Sequence, residues 1–301
     1  MDQNVFAQKY KNWYSNRCHF YLGYNILFNT FDSKVMGDAI SVDILKQQHT
    51  AAKIYNIYDD PLIQLIHKTG NEKNKFYFAR GDIDYMIHPL TLTKNRWKGA
   101  DGVIVRCMNF DRHWWYYYNR PLDIRFDKKI SQVFWRGATT GKPNNIGNRF
   151  TMIKRWFNHR NMNVGFSEIV QHRDEFKIYV KGGVQPSEFL KYKYILSIHG
   201  NDKDSGLNWK LNSNSVVMMT RPQVTTWLME TTLIPNYHYI LLKDDFSDLE
   251  DKLHWCNNNP IKCKIIIQNA NTFMRQFNNI EAERAIEVEV VRKYFEIIND
   301  I

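Results

Sequence analysis

The sequence predicts an α/β fold of two unequal halves, the second carrying a parallel, doubly wound sheet. Three observations predict it. From about residue 130 onward, short apolar runs alternate with amphipathic stretches, the signature of successive βαβ units. The run YILSIHGNDKDSGLNWKLNSNSVVMM (residues 194–219) passes from an apolar strand through a polar glycine loop and a helix start into a second strand. The first 125 residues mix helical and extended patterns without that alternation. We therefore expect one domain over residues 1–128 and a second over 129–301, with a cleft between them and the last helix packing back on the first.

Taken in order, residues 2–27 place Phe6, Tyr10, Trp13 and Tyr14 at near-helical spacing, which predicts an aromatic-faced helix packed on the core. Helices are expected over 43–58 and, after Pro61, over 60–68. KFYFA (75–79) reads as a strand, as do 90–93 and 102–108. A polar break at 125–131 precedes an apolar strand over 132–135, which runs into Arg136-Gly137-Ala138-Thr139-Thr140-Gly141. Residues 148–159 form an amphipathic helix; 164–169 and 176–180 fit either state; 186–192 is a short helix. Further helices are expected over 225–231 and 247–257, a strand over 237–242, and one long or two shorter helices from Pro260 to about residue 298.

Composition narrows the function classes. At 301 residues with 44% hydrophobic and 15% aromatic side chains, the chain can bury a sizeable core, so disorder is not the default. The opening MDQNVFAQKYKNWY is polar and aromatic, unlike a secretory leader, and no run approaches the roughly 18 apolar residues of a membrane span. A cytoplasmic protein is expected. Cys18, Cys107, Cys256 and Cys263 are scattered without a metal-ligand spacing, so we expect free thiols and no metal. A formal charge of +10 admits nucleic acid, an anionic membrane surface or a phosphate-bearing substrate as partner. The basic residues are dispersed, which disfavours a nucleic-acid-binding arm.

The loop Gly200, Asn201, Asp202, Lys203, Asp204, Ser205, Gly206 leads into Leu207, Asn208, Trp209 and Lys210. A strand, glycine loop and helix start bring backbone N–H groups and a helix's positive end toward an anion. The loop is neither GxGxxG nor GxxxxGK[ST], and an ordinary turn has the same composition. Asp82-Ile83-Asp84 and Asp202-Lys203-Asp204 are both DxD sequences, which hold divalent cations in some transferases.

Six blocks in order carry a resemblance over roughly residues 75–275: PLTLTKNR (89–96), FDRHW (110–114), VFWRGATTG (133–141) with Arg149 downstream, KYKYILSIHGNDKDSGLNWKLNSNSVVMM (191–219), TWLMETTLIPNYHY (226–239) and KDDFSDLEDK (243–252). They resemble glycosyltransferase family 90, in its bacterial-type branch. The resemblance implies a GT-B architecture of two Rossmann-like domains and an inverting reaction that needs no metal or other cofactor. The implied donor is UDP-glucose or UDP-xylose and the acceptor a hydroxyl, here of a glycan. Donor contacts carry over to Arg136, Gly137, Ala138, Thr139, Arg149 and to Gly200, Asn201, Asp202, Ser205, Gly206, Leu207, Asn208, Trp209 and Lys210. Two departures matter: Ala138 stands where eukaryotic members have serine, leaving only a backbone N–H, and Asn208 stands near a family arginine, shifting phosphate neutralisation to Lys210 or Arg149. The first 70 residues align with nothing in the family and are expected to select the acceptor.

Glycosyl transfer needs a base for the acceptor hydroxyl and charge compensation for the departing diphosphate. Asp82, in a strand-end turn where the family places its base, is the candidate, with Asp84 as fallback; a plain charged turn of Arg80, Asp82 and Asp84 is the alternative. Without a metal, guanidinium forks such as Arg136 and Arg149 suit phosphate oxygens. Glu230 either accepts from ribose hydroxyls or is a solvated helix residue. Asp111, Arg112 and His113 are expected near the cleft, and the aromatic run 114–118 serves either sugar stacking or the core. A metal-dependent transferase and a polyanion or nucleic-acid binder remain the competing functions.

Overall fold

A computed structural model describes residues 3–23, 26, 38–52, 56–85, 87–111, 113, 122–171 and 174–300. In chain order the elements are α1 (Gln3–Leu22), α2 (Val42–Ala52), α3 (Asn56–Thr69), β1 (Tyr77–Phe78), β2 (Thr91–Thr93), β3 (Arg96–Trp97), β4 (Val103–Ile104), β5 (Ile130–Gly137), α4 (Arg149–Trp156), β6 (Met162–Phe166), α5 (Pro186–Phe189), β7 (Tyr192–Leu196), α6 (Leu207–Leu211), β8 (Val216–Met219), β9 (Val224–Thr225), β10 (Ile240–Leu241), α7 (Leu249–Asn258), α8 (Pro260–Arg275) and α9 (Ile280–Asn299). The chain divides into two compact units, one of Met1–Arg112, Val224–Met229 and Asn279–Ile301, the other of His113–Gln223 and Glu230–Asn278.

In the first unit the strands are short. β1, β2 and β4 form a parallel three-stranded sheet, and β3 pairs antiparallel with β9. Helices supply most of its core: Ile286, Val290, Val291, Tyr294 and Phe295 of α9 repeat at helical spacing and pack with Cys18, Tyr21 and Leu22 of α1. A buried charge cluster ties the same two helices. Glu283 of α9 takes ion pairs from Arg17 of α1 and from Arg106, and Arg17 donates to the Tyr21 hydroxyl at 2.6 Å.

The second unit is the predicted parallel sheet. Its five strands run in the order β10-β8-β7-β5-β6, all parallel. Val133 and Trp135 of β5 belong to the main core with α4, α7 and α8, while Phe134 belongs to a smaller cluster with Phe189, Tyr192 and Trp209 on the opposite face. α4 starts where Asn148 accepts the Thr151 amide at 2.8 Å, an N-cap that also fixes how Arg149 leaves the helix. β6 lies on one side of β5, whereas β7, β8 and β10 extend on the other. The strand order therefore reverses between β5 and β7, and such a switch point opens a crevice at the C-terminal ends of the two strands.

Several local expectations are corrected. No helix spans 225–231: Val224–Thr225 is a strand, a 3-10 turn covers Glu230–Thr232, and Met229 between them has φ 58°. β-Branched residues disfavour the helix here, and the Thr226 hydroxyl takes the Leu228 amide at 3.3 Å. The strand expected over 102–108 is only two residues, followed by a 3-10 turn at Arg106–Met108. Residues 176–180, open from sequence, contain a 3-10 turn at Lys177–Tyr179. The helix after Pro61 begins earlier, at Asn56, with the proline inside it. The long C-terminal segment is two helices, α8 and α9. All four cysteines are buried and unbridged. Among the described residues no helix is long and apolar enough to cross a membrane.

Candidate active site

The turns after β5 and β7 meet at the switch point, and two glycines let them touch. A Cβ on Gly141, which has φ 98°, would meet the Gly200 carbonyl oxygen at 2.9 Å. A Cβ on Gly200 would meet Thr140 Oγ1 at 2.5 Å and Arg149 Cζ at 3.1 Å. The Gly141 amide donates to Asn201 Oδ1 at 2.8 Å, closing one turn on the other.

Arg149, the first residue of α4, is the bracket between them. Its Nη1 donates to the Ala138 carbonyl (2.8 Å) and Thr140 Oγ1 (2.6 Å), and its Nη2 to the Ile198 carbonyl (3.2 Å). The guanidinium lies 5.7 Å over the Trp135 ring. Gly137 has no side chain for the same reason: a Cβ there would sit 2.7 Å from that indole. Every oxygen holding Arg149 is neutral, and among the described residues no carboxylate forms an ion pair with it. Burial lowers its pKa, with Asp204 pulling the other way. His199, beside it, is pushed down to about 4 by burial and by the Arg149 charge, so the imidazole is neutral at neutral pH.

The loop's own charges are spent internally. Asp204 accepts from Ser197 Oγ and from the Gly206 amide, each at 2.9 Å, and pairs with Lys210, whose Nζ also reaches the Leu196 carbonyl at 3.2 Å. Burial alone would raise the Asp204 pKa, but the Lys210 ammonium outweighs it and holds the carboxyl below its usual range. Burial lowers the Lys210 pKa against the pull of Asp204. Asp202 Oδ1 accepts the Lys203 amide at 2.6 Å, and the Lys203 ammonium lies 3.6 Å from Glu230, both side chains buried. Glu230 is thus a buried ion-pair partner on a 3-10 turn rather than a solvated helix residue.

The remaining expected donor residues separate. Thr139 braces its own turn, donating to the Gln171 carbonyl at 2.5 Å and accepting the Val170 amide at 2.9 Å. Leu207 and Trp209 are buried, Trp209 edge-on to Phe189 at 5.4 Å, so both anchor α6 in the core. Asn208 donates to the His113 carbonyl at 2.9 Å and leaves a buried, unpaired Oδ1; Ser205 is exposed. α6 has only five residues, so the expected helix dipole is short. Arg136 is not brought to Arg149. Side chains alternate across β5, so Arg136 stacks 4.7 Å over Phe134 on the far face and donates to the Asn163 carbonyl (2.9 Å) and Oδ1 (2.8 Å).

In the first unit, Asp82 forms an ion pair with Lys94, a 5% exposed lysine, while the Asp82 side chain is itself 33% exposed. Asp84 is exposed. Asp111 pairs with Arg284, both oxygens at 2.8 Å from Nη2. Arg112 and residues 114–118 lie outside the described residues.

Thr140, Gly141, His199, Lys94 and Asn95 were given no role from sequence, although all lie within the resembling blocks. A separate groove of about 770 Å³ beside α7 and α8, lined by Tyr237, Trp255, Lys262 and Ile265 among others, contains none of the expected site residues.

The family model for glycosyl transferase family 90 matches residues 117–297, more than half of the chain. The chain belongs to glycosyltransferase family 90. It is 32% identical over 228 residues to O-glucosyltransferase LpsA of Dichelobacter nodosus, covering 75% of this chain and 68% of that protein. Protein O-glucosyltransferase 2 of Danio rerio is 24% identical over 159 residues, covering 50% and 29%. Uncharacterized protein 179R of Invertebrate iridescent virus 6 is 32% identical over 103 residues, 9% of its length. As a family 90 glycosyltransferase the chain is an enzyme that acts on a sugar donor and an acceptor. The family match begins downstream of Asp82, so it covers the switch-point turns but not that carboxylate.

Proposed function

We propose that the chain is an inverting, metal-independent glycosyltransferase of the GT-B type. In this reading it transfers glucose or xylose from a UDP-sugar to a hydroxyl of a glycan. The acceptor oxygen forms a bond to the anomeric carbon, its proton passes to Asp82, and the bond from that carbon to the β-phosphate oxygen breaks, releasing UDP. The observation that carries the reading is Arg149, a cation held at the switch point by neutral oxygens with no ion-pair partner among the described residues. A diphosphate completes that charge, and a guanidinium fork suits it. Lys210 is committed to Asp204, and the amides of Thr139, Thr140, Gly141, Gly200, Lys203 and Gly206 bond within the fold, so in this reading the amides of Ala138, Asn201 and Ser205 supply the remaining donors. Two relatives bear glucosyltransferase in their names, which favours glucose.

The DxD alternative is weaker at Asp202-Lys203-Asp204, because both Asp204 oxygens already accept from the protein. A donor screen tests the proposal. UDP release from UDP-glucose or UDP-xylose, undiminished by EDTA and lost on Asp82→Asn with UDP binding retained, is expected. Absence of UDP affinity would sink it, and activity abolished by EDTA and restored by a divalent cation would replace it with the metal-dependent reading.

A further inference from the structure

The turn carrying Asp82 is held by two consecutive residues that follow β2, and no role in the reaction has been assigned to either. Lys94 pairs with Asp82, and Asn95, fully buried, bonds both backbone groups of the next residue: Ile83 N donates to Asn95 Oδ1 at 3.0 Å, and Asn95 Nδ2 donates to the Ile83 carbonyl at 2.8 Å. We infer that Lys94 and Asn95 are positioning residues, which together fix the Asp82 carboxylate in the orientation from which it takes the acceptor's proton. The inference rests on the reading of Asp82 as base.

Burial separates this from an incidental surface ion pair. Lys94 is 5% exposed and its ammonium lies 5.9 Å from the Tyr58 ring centre, so the long stem has little freedom. Removing an ammonium from water is costly, and an ordinary surface pair never incurs that cost. The neighbouring cation is committed elsewhere. Arg80 forks onto buried Asp59, Nε to Oδ1 at 2.8 Å and Nη2 to Oδ2 at 3.0 Å, leaving Lys94 to meet Asp82. Gly81, with φ 79°, reverses the chain between Arg80 and Asp82 and so sends the two side chains to different partners. The Asn95 amide imitates a strand neighbour for Ile83, which removes the backbone freedom the turn would otherwise have. The Asp82 side chain nevertheless stays 33% exposed, so it is held without being sealed off.

The test is kinetic, with UDP-glucose hydrolysis as the readout and UDP as the binding probe. Lys94→Met is expected to lower kcat between about tenfold and a hundredfold, the scale lost when a reacting group is misplaced, with UDP affinity within about twofold of the parent. Lys94→Arg recovers most of the loss. On an Asp82→Asn background, Lys94→Met costs nothing further, because the group it positions is already gone. Unchanged kcat in folded Lys94→Met, a parallel loss of UDP affinity, or an equal loss on the Asp82→Asn background would each overturn the inference. Should Lys94→Met not fold, Asn95→Asp carries the test: it sets a carboxylate against the Ile83 carbonyl, and kcat must fall severalfold while UDP still binds. The two failures are distinct. Full turnover by Asp82→Asn removes the base itself, whereas an inactive Asp82→Asn beside fully active Lys94→Met and Asn95→Asp removes only the positioning pair.

Discussion

The two units spend their charges differently. Around the switch point of the second unit, Asp204 is closed on Lys210 and Glu230 on Lys203, and Arg149 is satisfied by neutral oxygens. In the first unit, Asp82 is held by one buried lysine and keeps a third of its side chain in solvent. Ion pairs in the second unit shape turns, and Arg149, held by neutral oxygens, has no ion-pair partner among the described residues. In the reading proposed above, the ion pair in the first unit aims a carboxylate. A diphosphate is met well by the first arrangement, because preorganised dipoles need no rearrangement as charge develops, and a proton is taken well by the second.

The largest expected effect breaks the donor half of this contrast. Arg149→Met removes both the charge and the bracket between the turns, and kcat/KM for UDP-sugar turnover should fall about a hundredfold or more. Arg149→Lys, with no fork, recovers only part of it. Wild-type turnover by a folded Arg149→Met protein would show that the guanidinium is purely structural.

Gly200→Ala separates shape from charge. The added methyl lands 2.5 Å from Thr140 Oγ1, so the turns must part, and we expect about 1–3 kcal/mol of lost stability with weakened UDP binding. A melting temperature equal to the parent's would mean the turns have slack.

Acid sharpens the comparison because His199 belongs to the second unit alone. Its pKa drops from an ordinary 6.5 to about 4, so in that interval the unfolded chain binds a proton the fold rejects. Stability is therefore full above pH 6.5 and falls as pH drops toward 4, by up to about 1.4 kcal/mol per pH unit. Thermal melts across that window should slope less for His199→Gln, and equal slopes would contradict the assignment.

The smallest effect on the donor belongs to Arg136→Ala. Its guanidinium faces away from Arg149, so UDP affinity should stay within about twofold while stability falls by roughly 1–3 kcal/mol from the lost bonds to Asn163. A large loss of UDP affinity would return Arg136 to the donor site.

Local pattern made much of this legible. The apolar runs at β5, β7 and β8 announce a buried parallel sheet, and the polar residue before Arg149 announces the start of a helix. Strand order is non-local, so nothing in the runs themselves placed β7 beside β5 or located the switch point. The same limit hides which partner each charge meets. Arg136 and Arg149 look equivalent as basic residues near a strand end, but the two-residue period of β5 sends Arg136 to the far face. Lys210 looks like a phosphate ligand until folding lays it on Asp204, and Lys94 and Asp82 meet only because β1 and β2 are neighbours in the sheet.

A crystal structure of the protein with UDP tests the central claim most directly. The account predicts the diphosphate within hydrogen-bonding distance of Arg149 and of backbone amides in the turns after β5 and β7. UDP bound elsewhere, for instance in the groove beside Trp255 and Tyr237, with Arg149 still closed on Ala138, Thr140 and Ile198, would contradict it.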